Sequence, residues 1–431
     1  MQTKLLGSVL MILGTCIGAG MLALPIALAH QPIGMGIFLL GLAWLVMTIG
    51  AFSLLEVNLW LPAKTNLISM SELTLGRIGK TSTWIIYLLL LYSLLCAYIA
   101  GSSDVLQTLL QIAHIQTPHW TATILAVLIL SSVVYRGIAS VDFINRGLMS
   151  IKFLAFILLI LLIAPHIHWQ YLTEGNSHFK ISTFMVMITS FGYAIIVPSL
   201  RTYLNSDKNR LHRAIVIGSL LPLLIYIIWI VVVQGLIPKT GSQGLLQVAQ
   251  TGKTVGLLMT TIAFYVKNNW ISSISSVFIS ICAVTSFLGV SLCLVDFIAD
   301  GLNLHPIEAS RGEPREISTV RRFDFLTSLA HSTASCGECA RFAVQTKPFY
   351  VYALTFLPPM IIVLIWQNIF IQALSYAGIL CVLLLIILPL LMLYSGRHVK
   401  KISPKDHTWL SHVIILATII FAVCVLVTVI V

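Results

Sequence analysis

The chain has 431 residues, 58% of them hydrophobic and only 9% charged, against about 25% charged in soluble domains. Such a chain cannot clothe a water-facing surface, which excludes a soluble enzyme, a disordered protein and a coiled coil and leaves an integral membrane protein. The formal net charge of +11 comes from 25 Lys and Arg against 14 Asp and Glu, so the next question is where the cations fall relative to the apolar runs.

Eleven apolar runs follow one another along the chain: Leu5–Ala29, Ile33–Trp60, Thr83–Ile112, Trp120–Tyr135, Leu148–Ala164, Ile181–Leu200, Ala214–Ile237, Trp270–Phe297, Phe349–Trp366, Ile369–Tyr394 and Trp409–Val431. They are continuous, with no period-two alternation, and so predict membrane-spanning helices over a barrel. Trp120, Trp270, Trp366 and Trp409 stand at run ends, where interfacial aromatics belong. The first run, preceded by Lys4, imitates a cleavable leader. Its length and its interruption by Gly14, Gly18, Gly20 and Pro25 argue that it is kept as a span. Cys16, Cys96, Cys282, Cys293, Cys381 and Cys424 lie inside apolar runs and read as small packing residues.

With the N-terminus in the cytoplasm, 21 of the 25 cations fall on the cytoplasmic side, and Lys180, Lys239, Lys253 and Lys267 are left outside. The basic excess is therefore a topology signal and needs no nucleic acid partner. Eleven spans then put the C-terminus in the periplasm. Five runs per unit is an odd number, so residues 1–164 and residues 165–394 form two units of inverted topology, and residues 395–431 supply an eleventh helix. Inverted repeats of this kind recur in transporters.

Two of the spans are interrupted. The first carries Gly14-Thr15-Cys16-Ile17-Gly18-Ala19-Gly20 and then Pro25; the sixth carries Ser190-Phe191-Gly192-Tyr193 and then Pro198. Glycines weaken a helix and proline removes a backbone bond. Matched breaks in corresponding helices point to a midplane binding site, where freed backbone groups and half-helix ends meet a ligand. Small-residue helix packing is the competing reading of the Gly14-to-Gly18 spacing.

The stretch Gly14–Pro25 resembles the opening motif of the aromatic amino acid permeases, which include tyrosine-specific and tryptophan-specific bacterial transporters. Ser190–Tyr193 with Val197-Pro198-Ser199-Leu200 resembles their sixth-helix motif. Thr285–Val290 with Asp296-Phe297-Ile298-Ala299-Asp300 resembles their eighth. The resemblance spans nearly the whole chain. It implies an all-helical, eleven-span LeuT-like fold of the amino acid–polyamine–organocation superfamily, and proton-driven import across the bacterial inner membrane. It further implies that Thr15, Cys16, Ile17, Gly18, Ala19 and Gly20 hold the substrate's amino and carboxylate groups, and that Ser190, Phe191, Gly192 and Tyr193 meet its side chain. Helix three offers Tyr92 or Tyr98, which face different ways; Tyr98 lies nearer mid-span.

Ionisable residues inside apolar runs are costly and mark function. Glu56 and Asp296, near cytoplasmic ends, are candidate gating residues; Asp104 lies near the outer end. By resemblance to proton-driven LeuT-like transporters, Lys152 stands where a sodium ion would otherwise bridge helices one and eight, facing Gly14, Thr285 and Ser286. A lysine snorkelling at the membrane boundary is the competing reading. The outer stretch Gly241–Asn269 is long enough for a lid. The polar segment from Asn303 to Pro348 holds Cys336 and Cys339, a lone CxxC without a second ligand pair, and so no metal site is expected.

Together these readings predict a secondary transporter for an aromatic amino acid, tyrosine first, with proton as the coupled ion and lipid as its surroundings. No cofactor and no obligate protein partner are implied. Tryptophan or broad aromatic specificity and sodium coupling stay open. A polytopic membrane enzyme would need a convergent catalytic set, and a channel would need a filter ring; neither pattern is evident.

Overall fold

In the computed structural model the described residues are 2–62, 65–175, 180–241, 243–251, 254–266, 268–302, 348–366 and 369–400, and they are helical almost throughout. Cys336, Cys339 and the eleventh apolar run lie outside them. The chain begins with α1 (Gln2–Cys16) and α2 (Ala19–Ala27), one apolar stretch bent by 54° at Ile17 and Gly18. α3 (Ile33–Trp60) returns, and α4 (Leu67–Ile112) carries a kink at Gly76, whose φ of +79° only glycine adopts without strain. α5 (His119–Tyr135), α6 (Ile138–Ile163) and the short α7 (Trp169–Thr173) close the first half.

The second half opens with α8 (Ile181–Ser190), a 3-10 segment (Gly192–Ile196) and α9 (Val197–Tyr203), followed by α10 (Lys208–Leu236). Two shorter helices, α11 (Leu245–Thr251) and α12 (Thr254–Val266), occupy the stretch expected to form a lid, with α12 laid across α4 and α13 (Asn269–Gly301). After the long polar segment come α14 (Phe349–Ile365), α15 (Phe370–Val382), a π turn (Leu383–Ile387) and α16 (Leu388–Tyr394).

Among the described residues, seven helices are long and apolar enough to cross a membrane, and the bent α1–α2 pair makes eight. α5 and α14, at 17 residues each, are apolar but shorter.

The broken helices sit at the centre. Met21, Leu22, Ala23 and Leu24 of α2 are fully enclosed, as are Met185, Val186 and Met187 of α8. α6 lies at the edge: Leu154, Ile157 and Leu161 expose large apolar side chains, as a lipid-facing helix does. Between helices, apolar surface gains nothing over lipid, so close backbone approach holds the bundle. A Cβ on Gly378 of α15 would lie 2.1 Å from the Met185 carbonyl oxygen of α8.

Polar side chains tie the bundle at both ends. At the end where α3 finishes, the buried Arg201 guanidinium donates to the carbonyls of Asn58 and Leu61. At the opposite end, the buried Lys239 ammonium donates to the carbonyls of Gln31 and Glu174. Burial lowers the Lys239 pKa to about 8.

Gly378→Val is expected to part α15 from α8 and to cost about 1–3 kcal/mol of overpacking strain, read as a lower melting temperature in detergent. Gly41→Val, at a site with nothing within 4 Å of its Cβ, should melt as the parent does.

Candidate functional site

The first break is built by the inability of Gly18 to carry a side chain. Its backbone is extended (φ −150°, ψ −150°), and an added Cβ would meet Ser286 Oγ at 2.4 Å. α13 therefore presses directly on the bend. α2 restarts one residue later and turns the amide groups of its first turn back toward the gap, a polarity suited to an anion. Gly20 leans the other way, its Cβ position 3.2 Å from Ser190 Oγ at the second break. That break differs in kind: past Ser190 the chain tightens into the 3-10 segment before α9 resumes with Pro198 in its first turn.

Inside a membrane the carbonyls released by such breaks need donors. Three find them. Lys152 Nζ on α6, fully buried, donates to the Ile17 carbonyl at 2.7 Å. The Tyr226 hydroxyl on α10 lies 2.6 Å from the Cys16 carbonyl and 3.0 Å from the Ser190 carbonyl, bridging the two breaks.

Both breaks open on one cavity of about 190 Å³. Its wall at the breaks is Gly14, Thr15, Cys16, Ile17, Gly18 and Gly20 from the first helix pair, with Ser190 and Gly192 from the second. Thr285 and Ser286 of α13 and Tyr98 of α4 complete that level. From there the cavity runs toward the end where α1 begins, past Met149 and Asn145 of α6, Cys293 of α13 and Tyr87 of α4. Tyr87 and Tyr98 stand three turns apart on α4, roughly 16 Å at 1.5 Å per residue.

The site residues expected from sequence fall into three groups. Thr15, Cys16, Ile17, Gly18, Gly20, Ser190, Gly192 and Tyr98 border the cavity, while Ala19 opens α2. Tyr92, the other candidate on α4, instead donates to the Leu354 carbonyl of α14. Phe191 and Tyr193 are fully buried and do not border the cavity. Phe191 packs edge-on against the Tyr226 ring, and the Tyr193 hydroxyl donates to Thr48 of α3 at 3.0 Å.

Of the ion-coupling set, Lys152 reaches Ile17, three residues beyond Gly14; Gly14, Thr285 and Ser286 line the cavity beside that contact. The two gating candidates lie apart from it. Glu56 accepts from Arg397, whose guanidinium also lies over the Trp60 ring, and Asp296 sits half-buried on α13, one turn past Cys293.

Tyr226, Asn145 and Thr189 were not legible as site residues. A single tyrosine, asparagine or threonine in an apolar helix has no spacing that marks it. Thr189 donates to the Leu374 carbonyl and so joins α8 to α15 beside the cavity.

The described residues form a polytopic helical architecture with two broken helices at its centre. The chain superimposes on the crystal structure of the Eremococcus coleocola manganese transporter with a TM-score of 0.61 at 11% identity, over 98% of this chain and 85% of that one. Residues 1–318 and 339–430 match the tryptophan/tyrosine permease family, and the chain belongs to it. Tyrosine-specific transport system 1 of Haemophilus influenzae is 28% identical, the match covering 94% of this chain and 91% of that protein. The tryptophan-specific transport protein of Pseudomonas aeruginosa is likewise 28% identical, over 98% and 93%.

Gly18→Ala should abolish uptake by clashing with Ser286, and the double variant Gly18→Ala/Ser286→Gly should restore part of it. Tyr226→Phe removes the bridge between the breaks, and about a tenfold loss of uptake is expected from a hydrogen bond of this kind. Initial rates in proteoliposomes at matched protein levels check both.

Proposed function

We propose that the protein is a secondary active transporter that imports an aromatic amino acid, tyrosine first, by proton symport and alternating access. The observation that carries this reading is the pair of helix breaks opening on one cavity. The amide-rich start of α2 suits a substrate carboxylate, and the freed carbonyls suit its ammonium group. Beside them Tyr98, Leu94 and Ile195 offer a largely apolar slot for a ring. The family and its tyrosine-specific relative support the substrate class. Tryptophan is the second reading, since the tryptophan-specific relative matches equally well.

In this reading eleven spans form two inverted five-helix units plus a last helix, in the inner membrane of a bacterium, with the N-terminus cytoplasmic and the C-terminus periplasmic. The cavity then reaches toward the cytoplasm, and the conformation is the one that releases substrate inward. Lys152 is the proton carrier. Protonated, it holds the Ile17 carbonyl and so the shape of the first break; losing its proton loosens that hold. Glu56, which accepts from Arg397 near the end of α3, and Asp296 of α13 are the gating residues of the inner end.

Labelled tyrosine uptake into proteoliposomes, competed with tryptophan, phenylalanine and glutamine, tests the substrate; failure of every aromatic amino acid to compete overturns the reading. Imposed proton and sodium gradients test the ion, and strict sodium dependence would remove Lys152 from its role. Lys152→Ala is expected to keep tyrosine exchange while losing accumulation against a gradient. Leaving the Ile17 carbonyl without a donor should also destabilise that variant by about 1–3 kcal/mol.

A further inference from the structure

The cavity has two polar ends. One is the break region already described. The other is Asn145, on α6 two turns before Lys152 and therefore roughly 10 Å from it along the helix axis. Asn145 is only 4% exposed and borders the cavity, and its side-chain oxygen meets no donor among the described residues. A buried acceptor left without a donor is expensive and uncommon. It is tolerated where something that visits the site brings one. Met149, Ile196 and Val290 give the space around it apolar walls, with Cys293 and the Tyr87 ring at the same end.

A polar head at the breaks, a largely apolar middle and a buried acceptor without a donor at the far end suit one class of molecule. An aromatic amino acid held by its charged groups at the breaks extends its ring along the cavity. Tyrosine then presents a phenol O–H at the far edge, and tryptophan an indole N–H, whereas phenylalanine presents no donor there.

We propose that Asn145 is a specificity-determining residue, whose side-chain oxygen accepts a hydrogen bond from the ring-borne O–H or N–H of the substrate and so selects donor-bearing aromatic amino acids over phenylalanine. The inference rests on the reading of the cavity as an aromatic amino acid site. A site built to bond a donor rejects the analogue that lacks it far more strongly than a pocket of the same size rejects a methylene.

The test starts with the unaltered protein in proteoliposomes, where folding is not in question. Tyrosine should compete for uptake at least about tenfold better than O-methyltyrosine and phenylalanine, or tryptophan better than 1-methyltryptophan. In Asn145→Leu the donor-bearing substrate should lose that advantage while phenylalanine competes as before; Asn145→Asp, which keeps an acceptor, should retain it. If methylated and unmethylated ligands compete alike, or if Asn145→Leu weakens all ligands equally, the assignment of Asn145 falls and the transport reading stands. If no aromatic amino acid competes, the transport reading falls and this inference falls with it.

Discussion

A carbonyl released from a helix within a membrane has no water to turn to, and its neighbours must supply a donor. The arrangement of this protein follows from that requirement at two places in the chain. Ile17 is met by an ammonium group on α6; Cys16 and Ser190 share a phenol on α10. On α13, Ser286 fills the space that a side chain at Gly18 would need. Three helices far apart in sequence are thereby fixed around one gap, and the cavity is what remains between them. The cavity is thus a by-product of satisfying backbone groups, and the apolar packing of the outer helices only encloses it.

The sequence announced some of this and hid the rest, for physical reasons. The first break was legible because three glycines and a proline within one apolar run deprive a helix of both stiffness and a backbone bond. Lys152 was legible because a lysine inside such a run must either snorkel or be paired, and it is paired. Tyr226 was not, since tyrosine is ordinary in a membrane helix and its partners lie 210 and 36 residues away.

Phe191 and Tyr193 show a subtler limit. Expected beside the substrate, they turn instead toward Tyr226 and Thr48. The chain past Ser190 winds as a 3-10 segment, with three residues per turn in place of 3.6. The expectation came from the family resemblance, and the resemblance does not carry facing directions: Phe191 sits at the junction after α8 and Tyr193 within the 3-10 turn, so neither continues the face of α8. Arg201, one of the 21 cations that counting puts on the cytoplasmic side, is a buried clamp on the end of α3. Charge counting places a residue on a side of the membrane and says nothing of the carbonyls that wait there.

The bridge at Tyr226 has one further property. A phenol carries a single proton, yet two carbonyls stand within bonding distance of its oxygen. Neither can be fully served while both are near, and either can be fully served if the other withdraws. The two half-helices therefore hold a shared, divided bond in this arrangement. Were the two carbonyls to part slightly, the bond would not be lost outright but would pass whole to one side, so this group resists a small separation of the breaks less than two separate bonds would.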